Sequence, residues 1–185
     1  MSPSEFGQAV ASLAGVSLRP EVVTTAIKAP QRLAPDSYAL AIDVVRQGDC
    51  LATGRLVVLH DPQSRGLWGG PLRLVGFASA EIDPGMGRDP LLAEVGWSWL
   101  TDSLRQHQAP YIAAGGTVTE TASTRFGDLA GQQTTLELEL RASWTPLELD
   151  LAPHLRAWAD LLASAAGLPP EGVSLLPGVA ERRMP

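Results

Sequence analysis

From Leu136 to Trp144 the chain alternates without a break: Leu136, Leu138, Leu140, Ala142 and Trp144 are separated by Glu137, Glu139, Arg141 and Ser143. A period of two sends successive side chains to opposite faces of a strand, so this segment has one apolar face and one wet face. Such one-sided strands belong to antiparallel sheets, because parallel sheets are buried on both sides and read as continuous apolar runs. The chain must therefore build a sheet covered on one side, and the cover must come from one-sided helices.

Two longer helices are predicted. Asp150 is placed to cap the second, Pro153 is tolerated in its first turn, and Leu151, Leu155, Trp158, Leu162 and Ala165 form a stripe that ends at Gly167 and Pro169-Pro170. The first opens on Asp89 and Pro90 as N-cap and first helical residue, and runs to about His107 before Pro110. Its apolar arc covers more than half the circumference. Trp97 and Trp99, two positions apart, point about 160° away from one another, so one sheet face cannot cover both. A second apolar surface is required, either another helix of the same chain or the same helix of a second copy. Trp97, Leu100 and Leu104 are the candidate interface residues on the side away from the sheet.

The other elements follow from period and punctuation. Phe6, Val10 and Leu13 give a short helix stopped by Gly15. Residues 16–37, with Pro20, Pro30 and Pro35, read as a Pro-rich strap containing at most a helical turn or two around Val22 to Ile27. Tyr38 to Val44, Leu56 to Leu59 and 72–81 read as three strands of a meander, and 117–125 pairs with 135–144 as a hairpin. The expected class is α+β in two layers: a mostly antiparallel five-stranded sheet with helices on one face, in the order α-βββ-α-ββ-α. Residues 1–170 form a single domain, and 171–185 a loosely attached tail. The loop 61–71, with Gly66, Gly69 and Gly70 around Trp68, is long for a hairpin and places a large aromatic at its tip. Trp68 is a second candidate contact.

Composition narrows the function classes. Twenty acidic residues stand against 14 basic ones, a net charge of −6, and the resulting field repels phosphate backbones and anionic lipid surfaces. General nucleic-acid binding and membrane association are therefore not expected. Residues 116–150 hold six of the acids and two arginines, which also suits a basic partner. The lone cysteine, Cys50, allows no internal disulfide and no Cys-based zinc site, and suits a reducing, cytoplasmic compartment. The first 16 residues lack the basic start and apolar run of a signal peptide.

Chemistry-bearing motifs are few. No phosphate loop, dinucleotide fingerprint, nucleophile elbow or zinc-protease motif occurs, so no cofactor or metal is expected. Three histidines, His60, His107 and His154, could serve as general bases. His60 lies beside Asp61 at a strand end, where the pair could act in acid–base catalysis. Alternatively, Asp61 bonds the backbone of a His-Asp-Pro turn. His107 reads as a charge complementing the end of its helix, and His154 as an edge-of-core residue.

The order of elements resembles the secretion-chaperone-like fold, whose members commonly dimerise through a helix and bind segments of other proteins. A stronger resemblance lies in Ala29-Pro-Gln-Arg-Leu-Ala-Pro35, Leu59-His-Asp-Pro62, Trp68-Gly-Gly70, Asp89-Pro-Leu-Leu-Ala-Glu-Val-Gly-Trp-Ser-Trp-Leu100 and Arg141-Ala-Ser-Trp-Thr-Pro146. These strings resemble an uncharacterised actinobacterial family, domain of unknown function number three thousand, over about Phe6 to Pro170. The resemblance implies no activity, cofactor or site residues. Its genes tend to lie near those for a ribonuclease D-like exonuclease and for haem biosynthesis, which implies an adaptor for an RNA-processing enzyme as one reading. The principal expectation is a non-enzymatic protein-binding or chaperone-like module that forms a homodimer, and the alternative is a small enzyme using His60 and Asp61.

Overall fold

A computed structural model describes residues 4–83, 85, 89–129, 131 and 134–171. The expected tail lies almost wholly outside these residues. In chain order the elements are helix α1 (Glu5–Ala11), strands β1 (Val22–Ile27), β2 (Asp36–Arg46) and β3 (Asp49–His60), a one-turn helix α2 (Arg65–Trp68), β4 (Leu72–Ile82), α3 (Leu92–Gln106), β5 (Tyr111–Ser123), β6 (Thr135–Pro146) and α4 (Ala152–Ala165). The six strands form one sheet in the order β1-β2-β3-β4-β6-β5, with every neighbouring pair antiparallel.

The class is the expected α+β, but the sheet has six strands, not five. The additional strand is β1, in the segment expected to be a strap. Val22, Val23, Thr24, Thr25 and Ile27 are β-branched, a composition that favours strand over helix. Pro20 and Pro30 leave too few residues between them for a stable helix, and pairing with β2, Val22 opposite Val44 through Ile27 opposite Ala39, satisfies the backbone instead. β2 and β3 join through Gln47 and Gly48, both at positive φ, as a two-residue hairpin turn requires.

Register sorts the sheet into two faces. Leu40, Leu56 and Val58 share one face with Leu74, Leu140 and Trp144. The longer helices cover this face, and the principal core lies between them. α4 sits over its centre, where Trp144 and Trp158 contact one another with ring centroids 5.6 Å apart. A β-carbon on Gly76 would collide with the Trp158 ring, so glycine is required there to bring helix and sheet together. α1 closes the end near His60 through Phe6, Ala9 and Leu13.

α3 begins at Leu92, two residues later than expected. Asp89 turns the chain first, its side chain accepting a hydrogen bond from the Leu91 amide at 2.9 Å. α3 packs against α4 and β5 of its own chain. Trp99 shares a small enclosed space with Leu161 and Ala165 of α4, while Trp97 lies against Gly116 of β5. The second apolar surface demanded by the two tryptophans is thus supplied from within. Among the described residues no helix is long and apolar enough to cross a membrane.

Candidate functional site

Among the described residues, the opposite face of the sheet carries no long helix. On it β3, β4 and β6 align Arg55, Phe77 and Arg141 in one row and Val57, Val75 and Ser143 in the next. The Arg141 guanidinium lies 5.3 Å from the centre of the Phe77 ring, within cation–π range, and its Nε donates to Glu139 at 2.7 Å. That bond and the charge of Glu139 raise the Arg141 pKa further above neutrality. Charge on this face is divided: Arg55, Arg73 and Arg141 lie toward one end, and Asp43, Glu81, Glu137 and Glu139 toward the other. Ser79 donates to Glu137 within the acidic zone.

The 61–71 segment roofs the basic end. Asp61 caps a short turn, accepting from the Gln63 amide at 2.9 Å and the Ser64 hydroxyl at 2.7 Å, and these bonds hold its carboxyl below the ordinary value. α2 follows and ends at Gly69 in the left-handed conformation. Trp68 folds back onto Ala39, Val57 and Leu59, with Ile27, Ala34 and Val75 at the margin. It therefore covers the outer sheet face, while Leu67 beside it is 82% exposed. The Thr145 hydroxyl donates to the Trp68 carbonyl at 2.6 Å and ties the loop to β6.

Next to this roof lies a hollow of about 370 Å³, floored by Gly115 and Gly116 and bordered by Val75, Phe77, Arg141 and Ser143. Gly115, on the open face, leaves no side chain to fill it, whereas Gly116 faces Trp97 on the other side of the sheet. The adjoining bulge places Ala113 at φ +52°, an unusual conformation for a residue with a β-carbon, and Arg73 stabilises it by donating to the Ala113 carbonyl at 2.9 Å. Arg73 also donates to Thr145 at 3.0 Å and Ser143 at 2.7 Å, and no carboxylate among the described residues pairs with it. Burial lowers its pKa.

His60 and Asp61 do not form the pair that adjacency suggests. Adjacent strand residues point to opposite faces, and Asp61 is engaged in its cap. The partner of His60 is Asp36, directly opposite across the β2–β3 ladder, with Nδ1 to Oδ2 at 2.9 Å. Phe6 stacks on the His60 ring, which is 8% exposed, and no described group bonds Nε2. His107 meets Asp160 of α4 at 2.6 Å, beside a polar cavity of about 170 Å³ shared with Ser103 and Ser164. His154 is fully buried and accepts from the Trp144 indole at 3.1 Å. No hydroxyl or thiol among the described residues hydrogen-bonds to any of the three rings, and no described cluster of His, Cys, Asp and Glu could hold a metal ion.

Of the candidate contacts, Trp68 lies on the outer face, half-buried at its edge. Trp97 is half-buried between α3 and β5, and Leu100 and Leu104 are sealed in the core at 0% exposure, so they present no free surface. The alternation in 72–82 contained a signal for the outer face: Val75 and Phe77 occupy the register shared with Arg73 and Ser79, where polar residues would be expected. Asp36 carried none, because its proximity to His60 depends on strand pairing.

The geometry defines a two-layer α+β protein in which, among the described residues, only the short α2 segment covers part of the second sheet face. The chain belongs to the family described as a protein of unknown function (DUF3000), whose model matches residues 2–174. No curated protein and no solved structure matches it.

Proposed function

We propose that this protein is a non-enzymatic binding module that holds a polypeptide partner against the open sheet face, and that it works in the cytoplasm. The observation that carries this reading is the Arg55–Phe77–Arg141 row beside the Gly115–Gly116 hollow. An aromatic flanked by two arginines is a recurring composition of protein contact surfaces, where buried aromatics and Arg supply most of the affinity. A side chain from the partner fits the hollow, and carboxylates beside it meet the arginines, so the partner segment is apolar with acidic flanks. An adaptor for an RNA-processing enzyme would be one case of such a module. The acid–base alternative has less support: Phe6 roofs His60, and Asp61 serves as a cap.

The test is selection of peptides from a random displayed library on the purified protein, followed by titration of the selected sequences. Apolar peptides with Asp or Glu flanks should be enriched, and Phe77→Ala with Arg141→Glu should weaken their binding at least about tenfold with little change in melting temperature. Selected peptides that bind both variants equally, or an absence of enrichment, would overturn the reading.

A further inference from the structure

The two edges of the sheet differ in a way that points to a partner. β1 is short, six residues, bounded by Pro20 and Pro30 with Lys28 beside it. Short length, proline and lysine are the usual guards against edge-to-edge pairing. β5, at the other edge, has 13 residues without proline, lysine or arginine, and its second half is rich in threonine. Beyond its ladder with β6, no backbone–backbone hydrogen bond joins residues 115–123 to another described segment. Toward the described residues, some 30 Å of strand edge thus presents unpaired donors and acceptors.

We propose that this edge is closed by a second copy of the chain, β5 pairing antiparallel with β5 about a two-fold axis at Thr119. In such a pair one residue faces its own copy, and residues equidistant from it face each other. Around Thr119 the outward-facing threonines at 117 and 121 are placed symmetrically. Thr117 meets the partner's Thr121, Gly116 meets Ala122, and Val118 meets Glu120. The threonines form a ladder on the open face, a favourable cross-strand pairing, and no charge faces itself. An axis at Glu120 would set two carboxylates opposite one another, and an axis at Val118 would leave Thr121 opposite Gly115.

A second observation agrees with antiparallel pairing of two copies. Ile112 and Phe126 are large apolar residues, 39% and 80% exposed, near the two ends of β5, Ile112 beyond the bulge and Phe126 past the last residue of the strand. Antiparallel pairing of β5 with its copy brings the Ile112 end of one chain to the Phe126 end of the other, so an apolar residue is available at both ends of the paired strands. An unrelated peptide laid along the edge would gain the backbone bonds but would give no reason for the symmetric spacing of Thr117, Thr119 and Thr121. The inference is independent of what the open face holds, and it places self-association on β5, away from the covered helix α3.

The experiment uses the full chain with Cys50→Ser, the mass being followed by sedimentation over a concentration series. The background protein should dimerise. Thr119→Lys, which sets two ammonium groups against each other, should weaken the dimer at least about tenfold while leaving the melting temperature of the monomer unchanged. Under mild oxidation Thr119→Cys should cross-link to itself. Thr121→Cys alone should not, but should do so when mixed with Thr117→Cys. These Cys variants decide the register even if the Lys variant folds poorly. A monomer at every concentration, a dimer indifferent to Thr119→Lys, or cross-linking that is equal at all positions would overturn the proposal. Peptide binding at Arg55, Phe77 and Arg141 is scored separately, so either inference can fail alone.

Discussion

The indole N–H of Trp144 donates to Nδ1 of His154 at 3.1 Å in the centre of the core, and this bond fixes the histidine as a neutral acceptor. Its surroundings are apolar, and burial lowers its pKa from 6.5 to about 4, with the nearby charge of Asp150 opposing the shift only in part.

Folding stability is expected to depend on pH as a result. Between pH 6.5 and about 4 the unfolded chain protonates His154 and the folded chain does not, so the unfolded state binds more protons and stability falls as the solution is acidified. The total loss is about 3 kcal/mol, complete near pH 4. Glu21 and Asp61, whose carboxyls are held below their ordinary values, contribute stability that is lost only at lower pH, as the solution falls through their folded values. Urea denaturation at steps from pH 7 to 4 should show the slope, and His154→Gln, which retains an acceptor for Trp144, should flatten it. An unchanged slope in that variant would assign the effect elsewhere.

With self-association placed on β5, Trp97 is expected to contribute to folding rather than to the dimer. Its ring lies against Gly116 on the helix-covered face, and it joins the principal core while half-buried. Trp97→Ala should therefore cost about 2 kcal/mol of stability and leave the sedimentation mass unchanged at concentrations where the parent is dimeric. Dissociation of the dimer without loss of stability would return the interface to α3.

The three imidazoles should differ in chemical accessibility. His154 is 0% exposed and His60 8%, with Phe6 stacked on the latter, whereas the His107 side chain is 22% exposed. Acylation by diethyl pyrocarbonate, followed by peptide mass spectrometry, should modify His107 first. Phe6→Ala should release His60 while His154 stays protected. If His60 reacts as fast as His107 in the parent protein, the ring is not roofed and the acid–base reading regains ground.

Much of the architecture was legible from local spacing. The alternation of Leu136 to Trp144, the stripe from Leu151 to Ala165 and the opposed Trp97 and Trp99 follow from the fixed geometry of strand and helix, which each segment carries alone. β1 was misread because its prolines suggested an irregular strap, whereas its β-branched residues needed only a neighbouring edge to become a strand. The hollow beside Phe77 was not legible, since Gly115 leaves a space on the open face only when β5 lies alongside β6.

What the sequence determined by itself was the type of each longer element and the need for a sheet covered on one side, because periodicity and capping act over a few residues. Which segments meet was decided by the tertiary structure. Asp36 reaches His60 across a ladder 24 residues apart in the chain, and His107 reaches Asp160 across 53. β6 enters between β4 and β5, leaving β5 at an open edge. Such pairings depend on burial and hydrogen bonds summed over the whole molecule, and no local pattern in the chain encodes them.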